Sequence, residues 1–262
     1  MLTHPLLPKL KELRLSGMVD TLDERAQLAQ LQHLTPVDFL ALLLDDEIDR
    51  RQQRKQSRLE HSAGFVEGVK VLADFDFGAI PTLDRSVILD LATCQFIHKK
   101  HNWLICGPTG VGKSHLATAI GYEAIRRGLT VVYAKVDDLL TDLYRGRADG
   151  SREKRMKEFQ RCNLLILDDF GLRALKEQGA DDMYEIIQAR YERGSVIVTS
   201  NRSPAEWPDL FGNALLASAA LDRLTHHARI SIVTGESYRQ RQRRQGRPTA
   251  TPPAADTPTN EE

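Results

Sequence analysis

A short glycine-rich segment carries the residue pattern that most directly predicts chemistry. Residues 107–114 read Gly-Pro-Thr-Gly-Val-Gly-Lys-Ser, which is the spacing of a P-loop. Glycines allow successive backbone N–H groups to face bound phosphates, the lysine can reach the β and γ oxygens, and the serine hydroxyl can hold Mg²⁺. We therefore expect nucleotide contacts from Gly107, Pro108, Thr109, Gly110, Val111, Gly112, Lys113, Ser114 and His115.

A pair of acidic residues follows an apolar run further along the chain. Asp168 and Asp169 come directly after residues 164–167. A carboxylate at the end of a neighbouring strand can bind Mg²⁺, and a second carboxylate can polarise an attacking water. We assign the metal role to Asp168 together with Ser114, and the water role to Asp169. Asp is also common in turns, so this interpretation depends on the P-loop.

Two further polar residues can complete a site that hydrolyses a nucleotide. Asn201 follows the apolar run 196–199, where its amide can hydrogen-bond a γ-phosphate or position water. An ordinary Asn at a strand end is the alternative. Arg223 lies in a helical pattern and can project toward the γ-phosphate of a neighbouring subunit. A surface arginine paired locally with Asp222 is the alternative, and without a family argument it is the favoured one.

These side chains require a sheet whose strands alternate with helices. Near-continuous apolar runs that predict buried strands lie at 103–106, 130–133, 164–167 and 196–199, with a possible fifth at 230–233. Helical patterns separate the runs, and residues 83–98 predict one helix before the first strand. The sequence therefore predicts an α/β fold, with a parallel sheet flanked by helices, over residues 83–246.

The preceding part of the chain has a different pattern. Residues 1–64 show apolar residues at spacings of three and four, which predict a small all-helical N-terminal domain. Thr35 and Asp38 mark the start of one helix, because Thr35 can cap it and Asp38 favours its positive end. Residues 65–82 predict a connector between the domains, and the Pro- and Thr-rich residues 247–262 predict a disordered tail.

Composition restricts the class of protein. The 262 residues include 36 Lys+Arg and 36 Asp+Glu, so the formal net charge is zero, and the 41% hydrophobic residues are enough to build a core. Wholesale disorder is therefore excluded. The N-terminus lacks the pattern of a signal peptide, and no apolar run is long enough to span a bilayer. We expect a cytoplasmic protein that has no membrane partner.

Cysteines and histidines predict no metal site beyond that for Mg²⁺. Cys94, Cys106 and Cys162 form neither an even set nor a close pair, so we expect buried free thiols in a reducing compartment. His98 and His101 are three residues apart without further ligands, which is more typical of surface residues.

The zero net charge conceals three basic clusters, at residues 50–58, 145–157 and 239–247. Phosphate backbones attract such clusters electrostatically, and a solvated helix face is the alternative for the first two. Acidic residues elsewhere, including those at 45–49, balance the total. The candidate DNA contacts in the first two clusters are Arg50, Arg51, Arg54, Lys55, Arg145, Arg147, Arg152, Lys154 and Arg155.

The order of these motifs resembles that of the AAA+ ATPases, specifically the branch that contains the DnaC helicase loaders and the IstB transposition helpers. The resemblance covers about residues 6–244, well beyond the ATPase motifs. Segments outside those motifs that look like IstB are residues 13–18, 35–51, 61–65, 74–77, 221–228 and 235–239. By this resemblance, the Walker A loop is residues 107–114, the Walker B acids are Asp168 and Asp169, the sensor is Asn201, and the finger that acts in trans is Arg223.

The resemblance implies an AAA+ P-loop domain preceded by the helical domain, and an ATPase that needs ATP and Mg²⁺. It further implies a homo-oligomer that assembles on duplex DNA, largely without sequence preference, and assists an IstA-like transposase. A DnaC-like replicative helicase loader is the alternative, and a small-molecule kinase is disfavoured by Asp169, Asn201 and Arg223. Asp169 stands where AAA+ enzymes usually have Glu, so we expect slow hydrolysis. The chain after Val233 is too short for a full helical lid.

Overall fold

A single parallel sheet organises the computed structural model, which describes residues 5–65, 70–80, 82–235 and 237–238. In these residues the strands are β1 (Asn102–Cys106), β2 (Val131–Lys135), β3 (Leu164–Phe170), β4 (Ser195–Ser200) and β5 (Ala228–Ile232). Their order across the sheet is β2-β3-β4-β1-β5, and every neighbouring pair is parallel. The predicted α/β fold is confirmed, including its fifth strand.

Helices precede the sheet and cover both of its faces. Within the described residues they are α1 (Leu7–Glu12), α2 (Ser16–Leu31), α3 (Pro36–Ala63), α4 (Arg85–Ala92), α5 (Gln95–His98), α6 (Lys113–Arg126), α7 (Val136–Asp149), α8 (Arg152–Arg161), α9 (Glu177–Arg190) and α10 (Ala214–His226). The single helix predicted over residues 83–98 is instead divided into α4 and α5. The division lies at Cys94, whose φ of 61° is incompatible with a continuous helix.

Alternate residues of β1 to β4 contribute to two separate cores, whereas Ile230 and Ile232 of β5 are exposed. In β3, Leu165 and Leu167 pack in the core that also contains residues of α7 to α10. Leu164 and Ile166 face the other way, into the core shared with α4, α5, α6 and the end of α3. Successive strand residues point to opposite faces, so burial of both faces requires the near-continuous apolar runs seen in the sequence. Helices therefore cover both faces of the sheet.

The N-terminal helices form a third, smaller core from Met18, Leu22 and Leu43. Gly17 permits the close approach of α2 and α3, because a Cβ there would lie 2.6 Å from the backbone oxygen of Asp46. The predicted cap of α3 is present, with reciprocal hydrogen bonds between Thr35 and Asp38.

The last turns of α3 extend beyond that small core. Leu59 and Ala63 are buried in the core of the sheet domain, and α3 ends at Gly64 in the left-handed region. A single 28-residue helix therefore joins the N-terminal core to the sheet.

Two other expectations concern the cysteines and membrane-spanning helices. Cys94, Cys106 and Cys162 are free and buried, as predicted. Among the described residues, none of the helices has the length and apolar character needed to cross a bilayer.

Candidate functional site

The P-loop connects the carboxyl end of β1 to the start of α6. Its glycines at 107, 110 and 112 have φ values of 154°, 86° and 97°, which side chains rarely adopt. The loop is also closely surrounded: a Cβ on Gly107 would lie 2.0 Å from the backbone oxygen of Val233, and one on Gly112 would lie 3.0 Å from Phe75. Both conformation and space therefore require glycine at these positions.

Lys113 begins α6 and is only 6% exposed. Its Nζ donates hydrogen bonds to the backbone oxygens of Gly107 and Pro108, each at 2.8 Å, and to Asn201 Oδ1 at 2.6 Å. Burial lowers the pKa of Lys113, while the negative charges of Asp169 and Asp168 act in the opposite direction. The lysine thus lies within the influence of both predicted acids and in direct contact with the predicted sensor.

Asp168 lies at the carboxyl end of β3 and is 2% exposed. Ser114 donates to its Oδ1 at 2.7 Å, Tyr133 donates to its Oδ2 at 2.6 Å, and Thr199 donates to Oδ1 as well. The carboxylate and the Ser114 hydroxyl are adjacent hard oxygen ligands, which is the donor type that Mg²⁺ prefers. The residues predicted to hold Mg²⁺ are therefore in contact.

Asp169 follows in a distinct backbone conformation. Its φ is 58°, and its N–H donates to Thr199 Oγ1 at 3.1 Å. The pairing of β3 with β4 shifts register between Leu167 and Phe170, so Asp169 leaves the regular ladder. This irregularity separates the second acid from the buried first one, since Asp169 is half-buried.

Arg223 lies at the other end of the sheet. It is on α10, one residue before Leu224, whose carbonyl accepts a hydrogen bond from Asn102 at the start of β1. The P-loop lies at the opposite end of the same strand, about 16 Å away for five residues at about 3.3 Å each. Arg223 Nη1 donates to Ala219 O at 2.6 Å. The structure therefore does not bring Arg223 to its own nucleotide site.

The first basic cluster lies on α3 and is partly paired. Arg50 contacts Asp20 at 2.6 Å and Arg51 contacts Glu47 at 2.6 Å. Arg54 and Lys55, further along the helix, are exposed. Arg54 and Lys55 are therefore freer to contact a DNA phosphate than Arg50 and Arg51 are.

The second basic cluster lies on α7 and α8. Arg147 and Arg152 both bind Asp182 of α9, which is 1% exposed, and Arg155 lies 3.2 Å from Asp142. These three arginines thus have a structural role in joining the helices. Arg145 and Lys154 are exposed. Residues 239–247, the third cluster, lie outside the described residues.

Several contacts of the site were not anticipated from the sequence. Tyr133 and Thr199 both bind Asp168, although neither belongs to a motif. Val71 O lies 3.5 Å from His115 Nε2, so the connector flanks the P-loop on one side. On another side, Tyr238 N donates to Gly110 O at 3.0 Å. The only available signal was indirect, since Tyr238 lies in a segment that resembles the IstB C-terminal end.

Comparisons with known proteins show which family the sequence matches. The model of the family described as IstB-like ATP binding protein matches residues 8–246. An ATP-binding protein named for an insertion sequence of Mycobacterium tuberculosis is 40% identical over 242 residues, covering 92% of this chain and 96% of the relative. The corresponding IS21 protein of Pseudomonas aeruginosa is 36% identical and covers 91% of this chain and 89% of its own length.

A solved structure supports the assignment of the fold. The crystal structure of a DNA replication initiation factor is similar to this chain with a TM-score of 0.55 and 25% identity. The match covers 66% of this chain but only 51% of that protein, so the chain spans about half its length. The similarity is confined to part of each molecule.

Proposed function

The chain belongs to the family of IstB-like ATP-binding proteins, and from this premise we propose that it is a Mg²⁺-dependent ATPase that assembles on duplex DNA and assists a transposase. Its relatives are named as ATP-binding proteins of insertion sequences. This insertion-sequence context supports a transposase as the partner, and ATP-dependent assembly on DNA would be this chain's contribution.

One observation carries the enzymatic part of the proposal. Ser114, Asp168, Lys113 and Asn201 converge at the carboxyl edge of the sheet, linked by hydrogen bonds of 2.6 and 2.7 Å. These side chains come from α6, β3 and the end of β4, so no single segment explains their meeting. A phosphate, a cation and a nucleophilic water all require groups of this kind within a few ångströms.

Each group has a chemical role in hydrolysis. Ser114 and Asp168 would hold Mg²⁺, which would neutralise phosphate charge. Lys113 exchanges its carbonyl partners for the β and γ oxygens. Asp169 orients the attacking water and accepts its proton, and Asn201 positions the same water or the γ-phosphate. Because Asp169 is one methylene shorter than glutamate, we expect turnover to be slow.

Arg223 is the candidate for a group supplied between subunits. Its position at the far end of the sheet means that it acts on a nucleotide only if that nucleotide belongs to another copy of the chain. Stabilisation of transferring phosphate by an arginine from a partner is a general device of nucleotide hydrolysis. Oligomerisation is then a requirement for activity rather than a consequence of it.

Duplex DNA would be held by basic residues that the fold leaves exposed. Arg54, Lys55, Arg145 and Lys154 are exposed, whereas Arg147 and Arg152 would have to leave a buried carboxylate. Because each subunit offers few free cations, a single subunit would bind DNA weakly. An assembly of many aligned subunits would bind it with much higher overall affinity. We therefore expect DNA binding to depend on both ATP and low salt.

The N-terminal helices offer a surface for the transposase. Leu40, Leu44 and Ile48 of α3 are 53, 46 and 50% exposed and recur at a spacing of four. An apolar stripe of this kind on a helix is typical of a protein contact. The same stripe is available to a replicative helicase, which is the competing partner.

The test measures assembly and DNA retention together. Purified full-length protein is incubated with duplex DNA and Mg²⁺, with and without ATP, at moderate salt. Size-exclusion chromatography with light scattering reports assembly, and a filter or bead assay reports retained DNA. We expect larger species and retained DNA only with ATP.

The matched variants are Lys113→Ala, which removes the phosphate contact, and Lys99→Ala, which removes an exposed lysine away from the site. Lys113→Ala should lose both effects and Lys99→Ala should keep both. The proposal is wrong if wild-type protein neither assembles nor retains DNA, or if Lys113→Ala behaves like wild type. Pull-down with the helicase but not with the transposase would favour a loader.

A further inference from the structure

Two imidazoles and a carboxylate converge at the end of the sheet away from the P-loop. His226 ends α10, His227 follows it, and Glu192 lies in the turn between α9 and β4. Ligand atoms of these three residues all lie within 4.8 Å of one another. We infer that they form a site for a divalent transition-metal ion of the zinc class.

The size of the cluster suits a single ion. Zn²⁺ binds His nitrogen and carboxylate oxygen at about 2.0–2.2 Å, which places two ligand atoms roughly 3.5 Å apart. The ligand atoms now lie within 4.8 Å of one another, and small side-chain rotations would bring them to this distance because all three residues are exposed. Two His and one carboxylate also leave a coordination position for water or for a ligand from another molecule.

A neighbouring hydroxyl can orient the first histidine. Tyr191 Oη lies 2.9 Å from His226 Nδ1. When the Nδ1–H of His226 donates to that oxygen, Nε2 carries the lone pair that a metal requires. Metal-bound histidines generally have their second nitrogen engaged in this manner, since the hydrogen bond sets both tautomer and ring orientation.

The second histidine is held by ring stacking. The ring of His227 lies 5.3 Å from that of His101 at an interplanar angle of 17°, and 4.0 Å from the ring of His226.

Nearby charges favour an imidazole-binding metal over Mg²⁺ or Ca²⁺. Arg223 and Lys100 line the same small cleft as Glu192 and His227. Mg²⁺ and Ca²⁺ rely on attraction to several carboxylate or carbonyl oxygens, whereas this cleft offers one carboxylate and three cationic side chains, since Arg190 lines it too. Zn²⁺ forms strong bonds to neutral imidazole and depends less on net charge.

The backbone at Glu192 adds to the argument. Its φ of 57° lies in the left-handed region, which glycine or asparagine would adopt at lower cost. The chain nevertheless places a long carboxylate there, beside the end of α10. Among the residues that the structure describes, no other three His, Cys or acidic side chains come this close together.

The location of the site suggests a consequence. His226 lies three residues after Arg223, so the two share a face of α10 one turn apart. A metal that bridges His226 to Glu192 would fix the helix end from which Arg223 projects. This consequence rests on the proposed function, whereas the metal site itself does not.

The experiment measures Zn²⁺ binding to the full-length protein without nucleotide or DNA. Chelator-treated protein is titrated with ZnCl₂ by calorimetry in excess MgCl₂, which competes with Zn²⁺ for the Ser114–Asp168 pair. Co²⁺ then serves as a spectroscopic probe of coordination by nitrogen and oxygen. We expect one Zn²⁺ per chain and visible Co²⁺ bands of low coordination number.

The variants are Glu192→Gln and His227→Gln, with His98→Gln as the matched control because His98 is exposed but outside the cluster. Each cluster variant should weaken Zn²⁺ binding by roughly tenfold or more and remove the Co²⁺ bands. Circular dichroism checks that the variants remain folded. The inference is overturned if wild-type protein shows no saturable binding, or if both cluster variants bind Zn²⁺ as wild type does. Either result leaves the proposed ATPase function unaffected.

Discussion

The ammonium group of Lys113 lies 2.6 Å from the amide oxygen of Asn201, which ties the start of α6 to the end of β4. The same nitrogen is bound by two P-loop carbonyls, so protein acceptors surround it. A bound γ-phosphate would compete with the amide oxygen of Asn201 for the ammonium group of Lys113. Phosphate binding and the sensor residue are thereby coupled through one nitrogen atom.

Replacement of Asn201 by Ala should separate binding from hydrolysis. The P-loop amides and Lys113 remain, so affinity for a fluorescent ATP analogue should change little. Loss of a polar group that acts on the γ-phosphate or water should lower kcat about 10- to 100-fold. Steady-state phosphate release and analogue titration measure the two quantities. An unchanged kcat in the variant would contradict the assigned role.

Arg223→Ala should abolish most hydrolysis while leaving nucleotide binding intact. An arginine finger contributes on the order of 10³-fold or more to phosphoryl transfer. The variant also allows a test in trans, because a Lys113→Ala subunit still carries Arg223. A mixture of the two inactive variants should recover part of the wild-type rate, because ATP bound to an Arg223→Ala subunit can still recruit a Lys113→Ala subunit that does not assemble alone. A mixture that stays inactive, although mixed oligomers form, would argue against action between subunits.

Exposed cations should determine the salt dependence of DNA binding. Lys55→Ala and Lys154→Ala should each reduce the slope of log affinity against log salt concentration by about one, if each contacts one phosphate. Arg152→Ala serves as the contrast, since Arg152 is bound to Asp182 and Glu185. It should reduce thermal stability more than it changes the slope. Equal slopes for wild type and both lysine variants would remove these residues from the interface.

Asp182 should be important for stability. It is buried and accepts hydrogen bonds from Arg147 and Arg152, which are about one third exposed. Asp182→Ala leaves both arginines without this partner and should cost about 2–3 kcal/mol in the free energy of unfolding, less than for a fully buried pair. Denaturant unfolding measures the change. Asp181→Ala, an exposed neighbour on α9, should change stability by no more than about 0.5 kcal/mol.

The packing of α2 on α3 should weaken in acid. Two hydrogen bonds from the Arg25 guanidinium, at 2.7 and 2.8 Å, lower the pKa of Asp46. Thr21 also donates a hydrogen bond to the Asp46 carboxylate. Because the pKa of Asp46 is lower in the folded state than in the unfolded state, where it is near 3.8, the ion pair stabilises the folded state fully at pH values above 3.8. This stabilisation is lost as the pH falls through the lower pKa of the folded state. Helicity and unfolding should be measured from pH 7 to pH 2.

Asp46→Asn is the variant for this test. It should be less stable than wild type at neutral pH and should converge with wild type in acid, because both side chains are then uncharged. Asp45→Asn, the exposed neighbour, is the matched control. Parallel pH profiles for wild type and Asp46→Asn would exclude this ion pair as the cause.

The sequence alone determined the features that depend on local pattern. The P-loop spacing, the strand runs and the Thr35 cap are properties of neighbouring residues, and each was found where it was predicted. The resemblance to a known family added the prediction of an AAA+ fold. Asp168 lies against Ser114 of the P-loop, as expected, because the carboxyl ends of parallel strands share one edge of a sheet, while its role in binding Mg²⁺ stays a prediction.

Only the tertiary structure decided how distant residues meet. Tyr133 reaches Asp168 because β2 lies beside β3, and strand order is not written in any single strand. Likewise, the basic residues near 150 looked equivalent, yet Arg147 and Arg152 are bound to buried Asp182 and Lys154 is exposed. A charged residue's role depends on which carboxylate folding brings within about 3 Å of it, and that distance is set by helix packing rather than by sequence separation.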